Sequence, residues 1–207
     1  MSLNPENTLI RKLELFCNLI ALNLIFLLTC LPVITIGSAV TSLYHVTLRE
    51  CRGEYGYFVR PYLTAFRSNL RSGIKLFSTF LITGLLLLVD YFYWKKQGTL
   101  LAAGISIFLI FLLVIWYLIM EFSFAINARF KADCLSTIRN ACGICLSHPG
   151  ISLLSLLIDL AVLLLALLAN PIFLLILLSG FSLRTYLKST LLVRIFRPYE
   201  TTTDTAP

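Results

Sequence analysis

Long apolar runs separated by short polar segments dominate this chain. Five of them, residues 13–36, 74–93, 100–122, 150–168 and 172–194, are long enough to cross a bilayer. The hydrocarbon core is about 30 Å thick, so a helix that rises about 1.5 Å per residue needs roughly 20 residues to cross it. Because only helices satisfy their own backbone in lipid without closing into a barrel, the pattern predicts an all-α membrane bundle of about five spans.

The first and last segments allow two further expectations. Residues 1–196 are predicted to form one membrane domain, and the polar tail 197–207 is expected to be disordered, with Pro198 stopping the last helix. A signal peptide is the alternative for the first run, because Arg11 and Lys12 precede it. That run exceeds the roughly 7–15 apolar residues of a signal peptide, so a membrane span is preferred.

The stretch LPVITIGSAVTSLY, residues 31–44, breaks the apolar pattern. Pro32 favours a bend, Gly37 is expected to end the first helix in a left-handed conformation, and Ser38 is expected to cap the next one. That next helix places apolar residues on one face and its basic residues on the other. We expect it to lie along the inner leaflet or under the bundle, followed by a second surface helix over residues 60–73.

Composition narrows the class of protein. Hydrophobic residues make up 58% of the 207 residues and charged residues only 13%, against about 25% charged in an average soluble domain. The net charge of +7 comes from basic residues that alternate with apolar helices rather than from a basic tail. The expected anionic partner is therefore the inner leaflet of the bilayer and not a nucleic acid.

Basic residues also predict an orientation, because they concentrate on the cytoplasmic side of membrane proteins. Arg11, Lys12, Lys95 and Lys96 lie in one set of flanks, and the other thirteen Lys and Arg residues lie in the opposite set. The N-terminus is therefore predicted outside and the C-terminus in the cytoplasm.

Residues 23–76 carry a recognisable pattern. Asn23 lies within the first span, Pro32, Thr35 and Gly37 form a Pro-x-x-Thr-x-Gly turn, and a later aromatic and basic segment supplies the last three matching residues, Tyr62, Phe66 and Asn69. In these features the chain resembles the YesL family of bacterial integral membrane proteins, a family described mainly as a domain of unknown function. Ser38 stands where that family often has proline.

The resemblance implies a location in the bacterial cytoplasmic membrane and an association with carbohydrate uptake systems of the ABC type. It implies no established activity, and no catalytic or binding residue carries over. The expected function is therefore an accessory or regulatory component, with an ABC sugar permease as the candidate partner. A small transporter or channel with a polar path through the bundle is the alternative.

Asp159 is the residue that best fits such a path. It lies near the middle of a predicted span, where a charged carboxylate costs about 2.5–3.5 kcal/mol and needs a partner. Ser152 and Ser155 share its helix face, and Arg184 lies at a similar depth on the next predicted span. The pair Asp159 and Arg184 is interpreted first as a structural contact, and the four residues together as a hypothetical substrate or ion path.

A second hypothetical site is the basic face of the first cytoplasmic link. Its five arginines are expected either to anchor the chain to anionic lipid or to dock on a partner, and they are Arg49, Arg52, Arg60, Arg67 and Arg71.

No cofactor is predicted, and an enzymatic activity is not expected, because no phosphate-binding glycine loop or pair of histidines at metal-ligand spacing occurs. The six cysteines suggest no disulfide framework. Cys142, Cys145 and His148 are weak candidates for a metal site, since a single CxxC is more often a pair of small packing residues. Gly84 and Gly104 are expected to permit close helix approach.

Overall fold

The computed structural model describes residues 5–130, 133–168 and 173–203, and these are helical with no strand among them. A 3-10 turn, Val33–Thr35, accompanies eight helices: α1 Pro5–Thr29, α2 Ile36–Cys51, α3 Val59–Ser68, α4 Leu70–Lys96, α5 Leu100–Arg129, α6 Cys134–Ser147, α7 Pro149–Leu168 and α8 Phe173–Thr203. The predicted all-α bundle is confirmed.

Fewer helices qualify as membrane spans than the sequence predicts. By length and composition, the described residues contain three, Ile10–Thr29, Leu70–Lys96 and Leu100–Arg129. A fourth is counted if α6 and α7, which meet at a bend of 98°, form one broken span. The predicted turn between the last two spans, residues 169–172, lies outside the described residues.

The break after the first helix differs from its prediction. α1 ends at Thr29, Pro32 begins the 3-10 turn as expected, and Gly37 lies inside α2 without a positive φ. The predicted left-handed cap at Gly37 and the predicted N-cap at Ser38 are therefore wrong. Gly37 serves close packing instead, because a Cβ on it would lie 2.3 Å from the carbonyl oxygen of Gly73 on α4.

α2 lies across the bundle and is not a surface helix. Its successive turns contact different helices: Ser38 donates to the Leu70 carbonyl of α4 at 3.1 Å, Tyr44 reaches α5, and Thr47 hydrogen-bonds Ser189 of α8 at 2.7 Å. Ten of its residues are buried. Its apolar face is the predicted one and is covered by protein, so of the two expected positions, along the inner leaflet or docked on the bundle, the contacts fit the second.

α3 buries one side against the bundle. Tyr62 and Ala65 are buried, whereas Leu63 is exposed. Among the predicted close-approach glycines, Gly84 lies against Trp116, because a Cβ added to Gly84 would be 2.5 Å from the indole ring, while Gly104 has no atom within 4 Å. The expectation is therefore confirmed for Gly84 and wrong for Gly104.

The ends of several helices meet on one side of the molecule. Asn127 near the end of α5 bonds Ser72 near the start of α4 at 3.3 Å, and Phe130 packs against Phe196 of α8. Arg11 and Arg194 line the same cavity. The predicted topology places Arg11 and Arg194 on opposite faces of the membrane, whereas in the structure both residues line this one cavity. We call the side of the molecule where these helix ends meet, and which carries Arg11 and Arg194, the basic end.

The last helix continues past its predicted stop. α8 runs through position 198 to Thr203. Proline lacks the N–H that would bond the carbonyl four residues earlier, and its ring crowds that carbonyl, but the helix continues here for five residues beyond position 198. Residues 204–207 of the predicted disordered tail lie outside the described residues.

Candidate functional site

Four charged side chains from three helices meet inside the bundle. Glu121 comes from α5, Asp159 from α7, and Arg184 and Lys188 lie one turn apart on α8. Lys188 Nζ lies 2.6 Å from Asp159 Oδ2 and also contacts Glu121 Oε1. Arg184 donates from Nη2 to Glu121 Oε1 at 3.0 Å, and its Nε contacts Asp159 Oδ1. Each acid contacts both bases. We call these four residues the charge cluster, and their two negative and two positive formal charges sum to zero.

Two tyrosines extend the charge cluster. Tyr44 of α2 donates to Glu121 Oε1 at 3.0 Å. Tyr117 of α5 donates to Asp159 Oδ2 at 2.8 Å and accepts a hydrogen bond from Arg184 Nη2 at 2.6 Å. The network therefore joins α2, α5, α7 and α8.

Burial sets the energetics of the charge cluster. The side chain of Lys188 is 1% exposed and that of Glu121 is 6% exposed. The Coulomb attraction of a buried ion pair roughly offsets its desolvation, whereas removal of one partner costs about 3–5 kcal/mol because it leaves an uncompensated charge. The intact cluster therefore adds little net stability, while the loss of one member is costly.

The predicted contact between Asp159 and Arg184 is present, but sequence reasoning missed the rest of the network. The charge pattern assigns Lys188 to the cytoplasmic flank, and the helical periodicity assigns Tyr44 to an apolar face. Two signals could have found the missing members. Lys188 follows Arg184 by four residues and so shares its helix face, and Glu121 needs a partner for the same reason that Asp159 does.

The two serines of the predicted path have a different setting. Ser152 and Ser155 are both buried. Ser152 Oγ donates to the carbonyl oxygens of Cys145 at 3.2 Å and His148 at 3.3 Å, which ties α7 to the end of α6 at their bend. The structure thus brings Asp159 and Arg184 together and uses Ser152 at the bend. A substrate or ion path through these residues stays a prediction.

A cavity of about 150 Å³ adjoins the charge cluster and is lined by Glu121, Arg184 and several aromatic side chains. Glu121 Oε2 is buried without a hydrogen-bond partner among the described residues. Asp159 Oδ1 also lacks a hydrogen bond of good geometry, but it lies against Arg184 and Lys188. A water molecule occupies about 30 Å³, so the cavity has room for water.

The five arginines predicted to dock on lipid or a partner separate into three settings. Arg49 and Arg60 line a groove between α2 and α3. Arg52 donates to Glu54 Oε1 at 2.9 Å. Arg67 and Arg71 are exposed and make no ion pair with any residue that the structure describes. The two hypotheses for these arginines stay predictions.

The weak metal candidates do not form a ligand set in the described ranges, which hold no group of three or more His, Cys, Asp or Glu residues suited to a metal ion. Cys145 is buried, with its sulfur 3.7 Å from Ser152 Oγ. Packing is the role that these contacts support.

Residues of the recognised pattern make contacts between helices. Asn23 Oδ1 accepts from the Ser182 backbone of α8 at 3.2 Å. Thr35 donates to the Thr29 carbonyl at 2.7 Å, and Tyr62 shares a 2.6 Å hydrogen bond with the Thr29 hydroxyl. These residues hold α1, the following turn and α3 together, so they contribute to the packing of the bundle.

Comparison with known proteins matches part of the chain to one family model. Residues 19–91 match the model of a family described as "Protein of unknown function, DUF624". No curated protein and no solved structure matches the chain. The matched region runs from α1 into α4 and includes only Tyr44 of the network around the charge cluster. The similarity is to a domain without an assigned activity.

Proposed function

We propose that this chain is a multi-pass protein of the bacterial cytoplasmic membrane that works by docking, as an accessory or regulatory component of a carbohydrate uptake system of the ABC type. Its long apolar helices support insertion in a membrane. The link to carbohydrate uptake rests on the resemblance of residues 23–76 to the YesL family.

The observation that carries the docking proposal is a surface with cations and no acids. The chain has no acidic residue between Glu54 and Asp90. Within this stretch Arg67 and Arg71 are exposed, at the end of α3 and near the start of α4. A surface of one charge sign favours an acidic patch on a partner, because complementary charge raises the association rate and suppresses wrong partners.

The interior supports docking over catalysis. Each of the four charged side chains of the charge cluster contacts a side chain of opposite charge, so none of the four is isolated as a catalytic acid or base. We therefore propose no enzymatic activity.

Affinity purification in mild detergent tests the proposal. We expect an ABC sugar permease subunit to co-purify at near-stoichiometric amounts with the wild-type chain. The charge-reversed variant Arg67→Glu/Arg71→Glu should lose it. The matched control Lys95→Glu/Lys96→Glu changes the same charge at the opposite end and should keep it. Absence of a permease from the wild-type preparation, or equal retention by all three proteins, would contradict the proposal.

The cavity beside Glu121 favours a second candidate function, a small transporter. Glu121, whose Oε2 has no partner among the described residues, lines a space of about 150 Å³ that is large enough for water or a small polar solute. Solute flux into liposomes that contain only the purified chain tests this candidate. Flux that falls in a folded Glu121→Gln variant would support it, and absence of flux for a panel of sugars and ions would remove it.

A further inference from the structure

We propose that the groove between α2 and α3 binds the phosphate group of an anionic phospholipid. The groove is an open depression of the surface with a volume of about 600 Å³. This inference goes beyond the proposed docking function and does not require a permease.

The lining of the groove suits an anion. Its polar side chains come from α2, α3 and the link between them, and none is acidic: His45, Arg49, Tyr57, Arg60, Thr64 and Ser68. A guanidinium presents a planar set of donors that matches two phosphate oxygens at once. Two arginines from different elements on one groove therefore provide the main recognition chemistry.

Both arginines retain the capacity to bind. Arg60 is exposed, and its side chain makes no hydrogen bond or ion pair with another residue of the described part of the chain. Arg49 meets its closest acid, Glu54, through a contact of 3.8 Å, while Glu54 makes a 2.9 Å contact with Arg52. A phosphate can therefore engage Arg49 without breaking a short ion pair.

Gly56 contributes space to the same groove. A Cβ at this position would lie 3.2 Å from Arg49 Nη2, closer than ordinary van der Waals contact. The glycine thus lets the guanidinium of Arg49 lie against the backbone of the α2–α3 link. A side chain at position 56 would push the guanidinium away from this position.

The position of the groove beside the candidate membrane spans points to a lipid as the source of the phosphate. α3 passes into the long apolar helix α4 with only Asn69 between them, and His45 Nδ1 contacts the Ala128 carbonyl at 3.2 Å near the end of α5. The groove therefore lies beside the ends of two candidate spans, where lipid headgroups are found.

Exposed apolar side chains around the groove fit the same source. Tyr57 is 86% exposed and Leu63 is 41% exposed, on either side of Arg60 in the sequence. Tyrosine and long apolar side chains are favoured at the membrane interface, where one end is wet and the other contacts acyl chains. A soluble phosphate ester would gain nothing from these apolar neighbours.

Native mass spectrometry of the detergent-solubilised chain, incubated with phosphatidylglycerol, tests the proposal. The groove variant is Arg49→Gln/Arg60→Gln. Its matched control is Arg67→Gln/Arg71→Gln, which removes the same charge from exposed positions outside the groove. We expect bound phosphatidylglycerol to fall about tenfold in the groove variant and less than twofold in the control. An equal loss in both variants, or no loss in either, would overturn the proposal.

A soluble competitor separates the two sources of phosphate. Glycerol 3-phosphate at millimolar concentration should leave the lipid bound if the groove holds a phospholipid, and its displacement of the lipid would assign the groove to a soluble phosphate ester instead. Permease co-purification with the groove variant separates this proposal from the docking function. If the groove variant loses the lipid but keeps the permease, the result supports the lipid site and leaves docking untouched. If Arg67→Glu/Arg71→Glu loses the permease but keeps the lipid, the result concerns docking alone.

Discussion

At the scale of single residues, the charge cluster is the feature whose energetics are best defined. Lys188 is the most deeply buried of its four members, and both acids depend on it. Arg184 alone cannot neutralise two carboxylates. Removing one side chain of the charge cluster should therefore cost more stability than removing it together with a partner of opposite charge.

Replacing Lys188 by Met should destabilise the protein by about 3–5 kcal/mol, because Glu121 and Asp159 would then share one cation in a buried site. The double variant Glu121→Gln/Lys188→Met removes one charge of each sign and should recover more than half of that loss. Unfolding in a detergent titration measures both effects. Lys75→Met, an exposed control on α4, should change stability by less than about 0.5 kcal/mol. A loss at position 188 no larger than at position 75 would contradict the buried pairing.

Cys51, at the end of α2, should be an unreactive thiol. Burial raises its pKa to about 12, and its sulfur lies 3.8 Å from the Tyr186 carbonyl oxygen. The pKa in the folded state is above that of a free thiol, so the thiolate that reacts with alkylating agents is depleted at a pH of about 8.5. Site-resolved mass spectrometry should show alkylation at least ~100-fold slower in the folded protein than in the unfolded protein. Equal rates in the two states would show that the fold does not protect the partly buried Cys51 thiol.

Sequence reasoning reached some of these residues and not others for a physical reason. Asp159 stands out because an acid in the middle of an apolar run is costly, and depth along the helix is enough to pair it with Arg184. Glu121 and Lys188 lie near the ends of apolar runs, where a charge is cheap if the end faces water. Only the packing of α2 across these helix ends makes them interior.

At the scale of helices, the contact between α2 and α4 determines how closely the first half of the chain packs. Gly37 and Ser38 meet Gly73, and a Cβ on Gly73 would lie 2.6 Å from the Ser38 backbone. Two backbones can approach this closely only where side chains are absent or small. This explains both glycines without any left-handed conformation.

Gly73→Ala should therefore destabilise the protein by about 1–3 kcal/mol, since the added methyl group forces the two helices apart. Gly143→Ala is the matched control, because Gly143 lies inside α6 with no atom within 4 Å. There alanine should stabilise by about 0.5–1 kcal/mol through its higher helix propensity. Thermal unfolding of both variants in detergent gives the comparison. Shifts of the same sign would rule out the close crossing.

The positions of the helices along the sequence are easier to predict than the helices that each one packs against. Continuous apolar runs identify α4 and α5, because a run of that length has no other stable form in lipid. The position of α2 cannot be read in this way. Its apolar face suits a lipid surface as well as a protein surface, and the choice between them depends on contacts such as Thr47 with Ser189, which are distant in sequence.

At the scale of the whole molecule, the positions of the basic residues in the structure predict a simpler membrane topology than the number of Lys and Arg residues in the segments between the predicted spans. Arg11 lies over the ring of Tyr55, with its guanidinium 3.9 Å from the ring centre, and shares a cavity with Arg194. Arg184 and Lys188 lie inside the charge cluster and do not count as flanking charges. Lys95 and Lys96, at the far end of α4, then remain the only Lys or Arg that the described residues place away from the basic end and outside the cluster.

This asymmetry predicts that the basic end is cytoplasmic and that the start of α1 and the end of α8 lie on the same side of the membrane. Three separate variants test this prediction, each with one added cysteine at an exposed position: Lys12→Cys, Arg194→Cys and Lys95→Cys. In intact cells a membrane-impermeant maleimide should label only the protein with the cysteine at position 95, above the background of the unsubstituted chain. After the cells are opened, the other two should label as well, because their positions then become accessible. Labelling at position 12 but not at position 194 in intact cells would instead place the two ends of the chain on opposite faces, which the shared cavity of Arg11 and Arg194 does not allow.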